Sequence, residues 1–398
     1  ELFVNQTNGN KDGTLFATLD NTKTKFGKRK LRKWLALPLL NMEDIINRQN
    51  AIKTIYSPPT TYLAELFDSL KFCFSKMPDL ERLLSKSYYG RCSPFELNRT
   101  IYSLQKLATL FQNIPIDIHD YLPKLLSDSI NALSKLNDKL LPFNDKIDYS
   151  VARNNQLIGL LKNESEYPEI VKARTEIEES EKVFKTYLID LQLEYGNAII
   201  GPYLSEYKAV SGEEYLLEIP IRFNSKVPNT WIKISSTKAV SRYRSPRIIE
   251  NLKRLLCGRE LLEIASKNAF KQFQENFSSN YSFFHLIIDI IANLDCYLSL
   301  SELMKNSYYV FPTFIDTVDD EACIHLKNSR NVIIESILGP NEYVPNDIKL
   351  DNTVGRSLLI TGPNMGGKSS YIRQIALTII MAQIGSPVPA NEAELSLF

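Results

Sequence analysis

Metal-binding and thiol-based chemistry find little support in this sequence. Its 398 residues include three histidines and five cysteines. The cysteines form no CxxC pair and the histidines show no ligand spacing, which argues against a zinc site and against a Cys–His nucleophile. We therefore expect buried free thiols in a reducing compartment; the cysteines are Cys73, Cys92, Cys257, Cys296 and Cys323.

Long hydrophobic segments are also missing. No run of about 18 uncharged apolar residues occurs, so no membrane-spanning helix is expected, and the polar first segment shows no signal peptide. Hydrophobic residues make up 44% of the chain and charged residues 23%, which is enough apolar material for packed cores. The length predicts two or three domains.

Residues 1–165 have the pattern of a helical region. Apolar residues recur at helical spacing between prolines, which predicts helices of roughly 12–25 residues joined by short turns. The segment Ser93-Pro94-Phe95-Glu96 is typical of a helix start, with a serine cap, a proline at the first position and a glutamate that closes a capping box. The basic run 28–33 is followed by Trp34, so we interpret it as part of an amphipathic helix, not as a nuclear localisation signal.

A heptad pattern over residues 168–195 predicts one long helix of about 40 Å. An apolar stripe over residues 246–277 predicts its partner helix, with Ile249, Leu252, Leu256, Leu262, Phe270 and Phe273 in the stripe. Between the two helices, residues 215–219 and 231–234 are predicted as short strands. The pattern therefore indicates a pair of long helices with a small β element at the tip.

Residues 321–398 have the texture of an α/β nucleotide-binding domain. Residues 332–334 and 357–361 are predicted as buried strands, and the second runs into GPNMGGKS at residues 362–369, which fits the GxxxxGKS phosphate loop. A helix is predicted from Ser370 to about Gln383, closed by Gly385. In such a loop the backbone N–H groups face phosphates, Lys368 neutralises the terminal phosphates and the Ser369 hydroxyl is placed to bind Mg²⁺.

The carboxylates that such a site uses for Mg²⁺ and for the attacking water are not found in the sequence. No apolar strand ending in Asp-Glu follows Lys368. Glu392 and Glu394 are predicted to lie in a polar tail, and no apolar run precedes residues 319–321. We therefore expect this chain alone to bind nucleotide weakly or not at all, and not to hydrolyse it.

Positive charge is concentrated in residues 226–259, although the whole chain carries only +1. Nine basic residues stand there against one acidic residue, a net +8 in 34 residues. One interpretation is a solvated helix face; we favour a sequence-independent grip on a nucleic-acid backbone. The basic residues are Lys226, Lys233, Lys238, Arg242, Arg244, Arg247, Lys253, Arg254 and Arg259.

The segment Thr361–Gln374, TGPNMGGKSSYIRQ, resembles the phosphate loop of the MutS family of mismatch-repair ATPases, for which the Pro-Asn-Met is specific. The resemblance covers essentially the whole chain. Residues 13–38 resemble the entry to the family's lever domain, residues 236–243 the exit from its DNA clamp, and residues 312–314 and 343–347 the approach to its ATPase.

The resemblance implies a multidomain fold. It would combine a mostly α-helical lever with long antiparallel helices, a small β-containing clamp at the tip of the lever and the N-terminal part of an α/β P-loop ATPase domain. The expected boundaries are 1–155 for the first part of the lever, 156–245 for the clamp with its descending helix, 246–320 for the returning helices and 321–398 for the ATPase part. The chain is accordingly expected to be a fragment, cut off after the phosphate loop.

The resemblance also implies roles for single residues. Tyr343 would stack on adenine, Asn364 would reach the terminal phosphate of ATP, and no catalytic residue is expected in this chain. The clamp would close over the DNA backbone through Lys233, Lys238, Arg242 and Arg244. The expected ATP-binding residues are Gly362, Pro363, Asn364, Met365, Gly366, Gly367, Lys368, Ser369, Ser370 and Tyr343, with Ser369 also binding Mg²⁺.

Two features resemble the third eukaryotic branch of the family, a subunit of MutS-beta. Ser370 stands where most members have threonine, and Arg330-Asn331 stands where most have Arg-His-Pro; Val332 departs from the usual proline. This implies a nuclear, ATP-dependent sensor of mismatches and insertion–deletion loops in duplex DNA. Its expected partners are the second eukaryotic homologue, with which it would form a heterodimer, and downstream MutL-type proteins. No association with a membrane is expected.

Two alternative functions stay open. A meiotic crossover-type member of the same family would also keep Lys368 and Ser369. A coiled-coil ATPase of the structural-maintenance or double-strand-break class joins a phosphate loop to long helices as well. In that class the loop precedes the coiled coil, whereas here it follows the long helices.

Overall fold

The computed structural model describes residues 1–5, 9–112, 114–315, 322–339, 342–355, 357–364 and 366–398. Its helices are α1 (Leu15–Leu19), α2 (Lys25–Ala36), α3 (Met42–Tyr56), α4 (Thr61–Ser75), α5 (Leu80–Tyr88), α6 (Pro94–Leu110), α7 (Lys124–Ser134), α8 (Leu136–Leu140), α9 (Tyr149–Arg153), α10 (Pro168–Tyr195), α11 (Pro246–Ser278), α12 (Tyr281–Ser301), α13 (Val332–Leu338) and α14 (Lys368–Gln383). Its strands are β1 (Lys208–Val210), β2 (Glu213–Pro220), β3 (Ile232–Ser236), β4 (Val240–Arg244), β5 (Tyr309–Val310), β6 (Thr313–Phe314), β7 (Ile324–Ser329), β8 (Asn346–Leu350), β9 (Val388–Pro389) and β10 (Glu392–Leu395).

The chain forms two compact units. The first unit comprises Glu1–Cys92, Arg99–Asn144 and Ser278–Phe398, and the second comprises Ser93–Asn98 and Asp145–Phe277. Both are mainly helical with small sheets, as expected from the sequence. The four predicted domain boundaries stay a prediction.

Two of the helices predicted for residues 1–165 are α6 and α2. At α6 the Glu96 N–H donates to Ser93 Oγ (3.2 Å) and the Ser93 N–H donates to Glu96 Oε2 (3.1 Å), which confirms the capping box. The amphipathic helix expected around residues 28–33 is α2, which buries Leu31 and Trp34. The lower bound on helix length was wrong, because α1, α8 and α9 have five residues each.

Helix α12 runs through the core of the first unit and contacts α2, α3, α4 and α5. Tyr297 of α12 packs against Trp34 with 5.6 Å between ring centroids. The stretch Tyr281–Lys305 is long and apolar enough to cross a membrane, although no such helix was expected, but 67% of its most apolar window is buried within the protein. That burial is typical of a core helix.

A buried carboxylate of α12 holds the start of α2. Asp295 is 1% exposed and accepts hydrogen bonds from the Lys23 N–H (2.9 Å), the Thr24 N–H (2.8 Å) and the Thr24 hydroxyl (2.7 Å). Thr24 in turn caps α2 through the Gly27 N–H. A Cβ atom at Gly27 would lie 2.2 Å from Asp295 Oδ2, so this close approach requires glycine. Burial raises the pKa of Asp295, and the hydrogen bonds from Lys23 and Thr24 oppose that rise.

The second unit is built on the predicted pair of long helices, α10 and α11. Helix α10 begins and ends where the heptad pattern does, and buries Ile170, Phe184 and Leu191. For α11 part of the predicted stripe was wrong. Leu252 and Leu262 are buried, but Leu256 is exposed and Ile249 only half-buried, since Ile248 and Leu255 face the core instead. Two of the predicted positions are shifted by one residue from the buried ones. The helix itself was still predicted correctly, because the period of the apolar residues is unchanged.

The β element of the second unit is a four-stranded sheet in the order β1-β2-β4-β3. The two predicted strands correspond to β2 and β3. The central strand β4 was not predicted, because its basic side chains conceal the apolar alternation. Leu217 of β2 lies opposite Tyr243 of β4, and both pack into a core with Phe184, Leu191 and Trp231.

The C-terminal part of the first unit departs furthest from the sequence predictions. Residues 332–334 were predicted as a strand but begin helix α13, because the Asn331 side chain accepts hydrogen bonds from the Ile333 and Ile334 N–H groups. Residues 357–361, predicted as a buried strand, are irregular and pair with none of the described strands, and all except the half-buried Ile360 are exposed. The predicted polar tail forms β10, which pairs with β6 and β7.

The cysteine prediction held for three of the five residues. Cys92, Cys296 and Cys323 are buried, whereas Cys73 is half-buried and Cys257 is exposed on α11. All five are free thiols. Among the described residues, no group of three or more His, Cys, Asp and Glu side chains is placed to hold a metal ion.

Candidate functional site

The candidate phosphate loop leads directly into α14, as the motif predicts. Gly367 precedes the helix at φ 83°, in the left-handed region that favours glycine. Among the described residues, no side chain caps the start of α14, which leaves the first N–H groups of the helix available to an anion. The described part of the loop is mostly exposed, Asn364, Gly366 and Ser369 included. Met365 lies outside the described residues.

Lys368 is the first residue of α14 and folds back over the loop. Its ammonium donates hydrogen bonds to the carbonyl oxygens of Gly362 (2.6 Å) and Pro363 (2.7 Å). Carbonyl oxygens orient the ammonium without neutralising its charge. A positive charge beside an uncapped helix N-terminus fits a polyphosphate, so the residues present suit the group that the motif implies.

The two serines after Lys368 have different surroundings. Ser369 is exposed, and its role as a Mg²⁺ ligand stays a prediction. The Ser370 carbonyl oxygen accepts a hydrogen bond from the Asn331 side chain (3.2 Å). Asn331 therefore caps α13 and also ties it to the first turn of α14, a role that the sequence did not reveal.

Tyr343 is anchored to the same helix. Its hydroxyl donates to Gln374 Oε1 at 2.7 Å, six residues and about 9 Å along the axis from Lys368. Burial raises the pKa of the Tyr343 hydroxyl, which favours its neutral, donating form. Gln374 is fully buried, and no role was predicted for it from the sequence. Its spacing on the helix was the signal that could have identified it.

The Arg330-Asn331 pair stabilises this region from the other side. Arg330 lies 3.0 Å from Glu335, and both side chains are largely buried. The guanidinium also lies over the Tyr308 ring, 4.3 Å from its centroid. Burial raises the pKa of Glu335 and the nearby guanidinium lowers it. The Arg330–Glu335 ion pair holds the start of α13. Asn331, which precedes this helix, bonds to α14.

We call the sheet of β1 to β4, between the two long helices, the β tip (residues 208–244). The four residues predicted there to contact DNA have two kinds of surroundings. Lys233 and Lys238 are exposed, the second in the turn between β3 and β4. Arg242 instead donates to Glu218 (2.8 Å), and Arg244 donates to the Glu214 carbonyl (2.6 Å) and pairs with Glu213 (2.7 Å). Both arginine side chains are at most 13% exposed, so their geometry supports a structural role within the sheet.

The count of charged residues in 226–259 overstates the positive charge at the surface of the tip. Acidic residues from outside the segment neutralise Arg247 (Asp190, 3.0 Å) and Arg259 (Glu214, 3.0 Å) as well as the two strand arginines. The other five are exposed, with no ion pair among the described residues: Lys226, Lys233, Lys238, Lys253 and Arg254. Arg222, outside the counted segment, is also exposed at the tip. That the tip contacts DNA through these residues stays a prediction.

Comparison with known proteins gives two family matches and whole-chain relatives. The model of MutS domain III matches residues 1–301, and the model of MutS domain V matches residues 358–398. Among similar proteins, "DNA mismatch repair protein msh3" of Aspergillus terreus is 36% identical and that of Aspergillus fumigatus 37%. "DNA mismatch repair protein Msh3" of Homo sapiens is 35% identical.

These alignments cover 100% of the chain but 34–35% of each of the three relatives. The chain therefore spans about a third of the length of the curated relatives it matches. The domain III match alone covers three quarters of the chain and includes both long helices, the β tip and α12. The chain belongs to the MutS family.

Proposed function

We propose that this chain is the part of a DNA mismatch-repair ATPase that holds the phosphates of ATP at residues 362–370 and the DNA backbone at the β tip. The observation that carries the proposal is Lys368, held by two carbonyl oxygens beside the uncapped start of α14. The names of the relatives, all mismatch-repair proteins, support the same function.

Each residue of the nucleotide site has a separate task in this proposal. Lys368 and the first N–H groups of α14 bind the terminal phosphates, Asn364 reaches the last of them, and Ser369 binds the Mg²⁺ that accompanies ATP. Tyr343, held by Gln374, offers its ring to adenine. Bound ATP and Mg²⁺ supply the phosphoryl group and its charge neutralisation, and further protein segments would supply the groups that activate water.

At the tip, the exposed lysines bind DNA phosphates without reading sequence. Lys226, Lys233 and Lys238 take this role, while Arg242 and Arg244 keep β4 in register with β2. The preference for insertion–deletion loops, the heterodimer with a second MutS homologue, the MutL-type partners and the nuclear location belong to the proposal for the whole protein.

The test is the coupling between the two sites in the heterodimer. Thermodynamic linkage requires that looped DNA changes ATP affinity by the same factor as ATP changes the affinity for looped DNA. Calorimetry for ATP and fluorescence anisotropy for DNA would give both factors, with fully paired duplex as the control. Two factors near one would contradict the proposal. So would steady-state ATP hydrolysis by this 398-residue chain alone.

A further inference from the structure

A basic cleft in the first unit has no part in either site. It has a volume of about 470 Å³ and lies along the outer face of α5, between that helix, the turn that follows it and Arg29 of α2. Arg82, Lys86 and Tyr89 line it at helical spacing, four and three residues apart. Arg91, in the turn after α5, also lines it.

The carboxylates beside this cleft are already paired. Arg29 donates to Asp79 (2.9 and 2.6 Å) and to Glu81 (2.9 Å). Besides Arg29, the cations Arg82, Lys86 and Arg91 also line the cleft. The Arg82 side chain is 77% exposed, although its Nε lies 3.5 Å from Asp79. Arg91 is also exposed, so two guanidinium groups can turn toward a ligand.

Exposed aromatic surface adjoins this charge. Tyr89 is 71% exposed and Tyr88 55% exposed, and their rings meet edge to face with 5.4 Å between centroids. Arginine and tyrosine are among the residues most enriched at the energetic centres of protein–protein interfaces. Guanidinium groups also bind carboxylates through two parallel hydrogen bonds, which selects for acidic groups.

We propose that this cleft is a docking site for an acidic peptide segment of a partner protein. The cations converge on one cleft beside an aromatic ring, as clusters that recognise acidic motifs do. A nucleic-acid backbone requires a row of cations that follows successive phosphates. The volume suits a few side chains of a peptide.

The experiment uses the full chain and a fluorescein-labelled hexaglutamate peptide at low salt, followed by fluorescence anisotropy. The double variant Arg82→Gln/Arg91→Gln should weaken binding by at least about tenfold, because both guanidinium partners of the carboxylates are lost. Lys135→Gln/Lys139→Gln is the matched control, since it removes two exposed charges from α8 and the residue before it. It should change the affinity by less than about twofold.

A third variant separates docking from folding. Tyr89→Ser removes a ring that is mostly solvent-exposed, so the unfolding temperature should stay the same while peptide binding weakens by about threefold. Equal losses in the two double variants, or no binding to the parent chain, would overturn the proposal. Displacement of the labelled peptide by single-stranded DNA at lower concentration than by unlabelled hexaglutamate would assign the cleft to nucleic acid and overturn it as well.

Discussion

The phosphate loop and the β tip both carry positive charge, but the cations have different partners. Lys368 is held by two uncharged carbonyl oxygens. Arg242 and Arg244 of the tip are held by the carboxylates of Glu218 and Glu213. An ammonium on carbonyl oxygens keeps its full charge for an incoming phosphate, whereas a paired guanidinium must first break an ion pair. A count of charged residues along the sequence therefore predicts the surface charge only where the ion-pair partners of the cations are known.

The largest effect is expected at the loop. Lys368→Ala removes the cation that faces the terminal phosphates and should weaken ATP binding by about 3 kcal/mol, or more than a hundredfold. Calorimetry on the protein with its complete ATPase domain measures this. Lys327→Ala, which removes an exposed lysine paired with Glu392, is the control and should bind ATP as the parent does. Unchanged affinity for Lys368→Ala would reject the phosphate-loop assignment.

The second effect concerns stability and separates the two kinds of tip cation. Arg244→Ala leaves the Glu214 carbonyl without its donor and should lower the free energy of unfolding of the second unit by about 1–3 kcal/mol. Lys238→Ala should change it by less than about 0.5 kcal/mol. In a Trp34→Phe background, Trp231 is the only remaining tryptophan and reports urea unfolding of this unit. Equal free energies of unfolding for Arg244→Ala and Lys238→Ala would show that Arg244 is not structural.

The third effect is on DNA binding. Replacing Lys226, Lys233 and Lys238 together by alanine should flatten the log–log dependence of duplex affinity on salt by up to about three units. The control triple variant at Lys124, Lys135 and Lys139 has the same charge change on exposed residues of the first unit. A parent-like slope for the tip variant would place the DNA contact elsewhere.

The smallest effect is expected at the adenine platform. Tyr343→Phe keeps the ring and removes only the hydrogen bond to Gln374, so ATP affinity should fall by about 0.5–1 kcal/mol, or two- to fivefold. Tyr371 lies on the same helix as Gln374, and its hydroxyl donates to the Asp347 carbonyl of β8. Tyr371→Phe removes that hydroxyl and should have no effect. Identical losses in both variants would mean that the Tyr343 hydroxyl has no special role.

The features that sequence predicted well are set by residues close together in the chain. The bounds of α10 follow from a heptad, the start of α6 from Ser93 and Glu96, and the start of α14 from the glycines of the loop. Each depends on helical spacing or on a cap within four residues. Such signals survive whatever the rest of the fold does.

Most of the features that were missed depend on distant partners. Residues 332–334 look like a strand by their β-branched composition, and that composition hid the local cap at Asn331. The second bond of Asn331, to the Ser370 carbonyl, joins segments far apart in the chain. Strand β10 has a polar sequence and forms because β6 and β7 lie on either side of it. At the β tip, the carboxylates that pair with Arg242 and Arg244 could not be predicted from the local pattern, since Glu213 and Glu218 belong to another strand.

Asp295 has a consequence for how the chain is made. Thr24 and Asp295 are separated by 271 residues, so the side chain that holds the start of α2 is synthesised long after α2 itself. At ribosomal speeds of about 5–20 residues per second, this delay is roughly 15–50 seconds. During that time the N-terminal helices lack α12, the element that they pack around. Until α12 is synthesised, the apolar faces of these helices that pack against it stay exposed, which makes the nascent chain prone to aggregation.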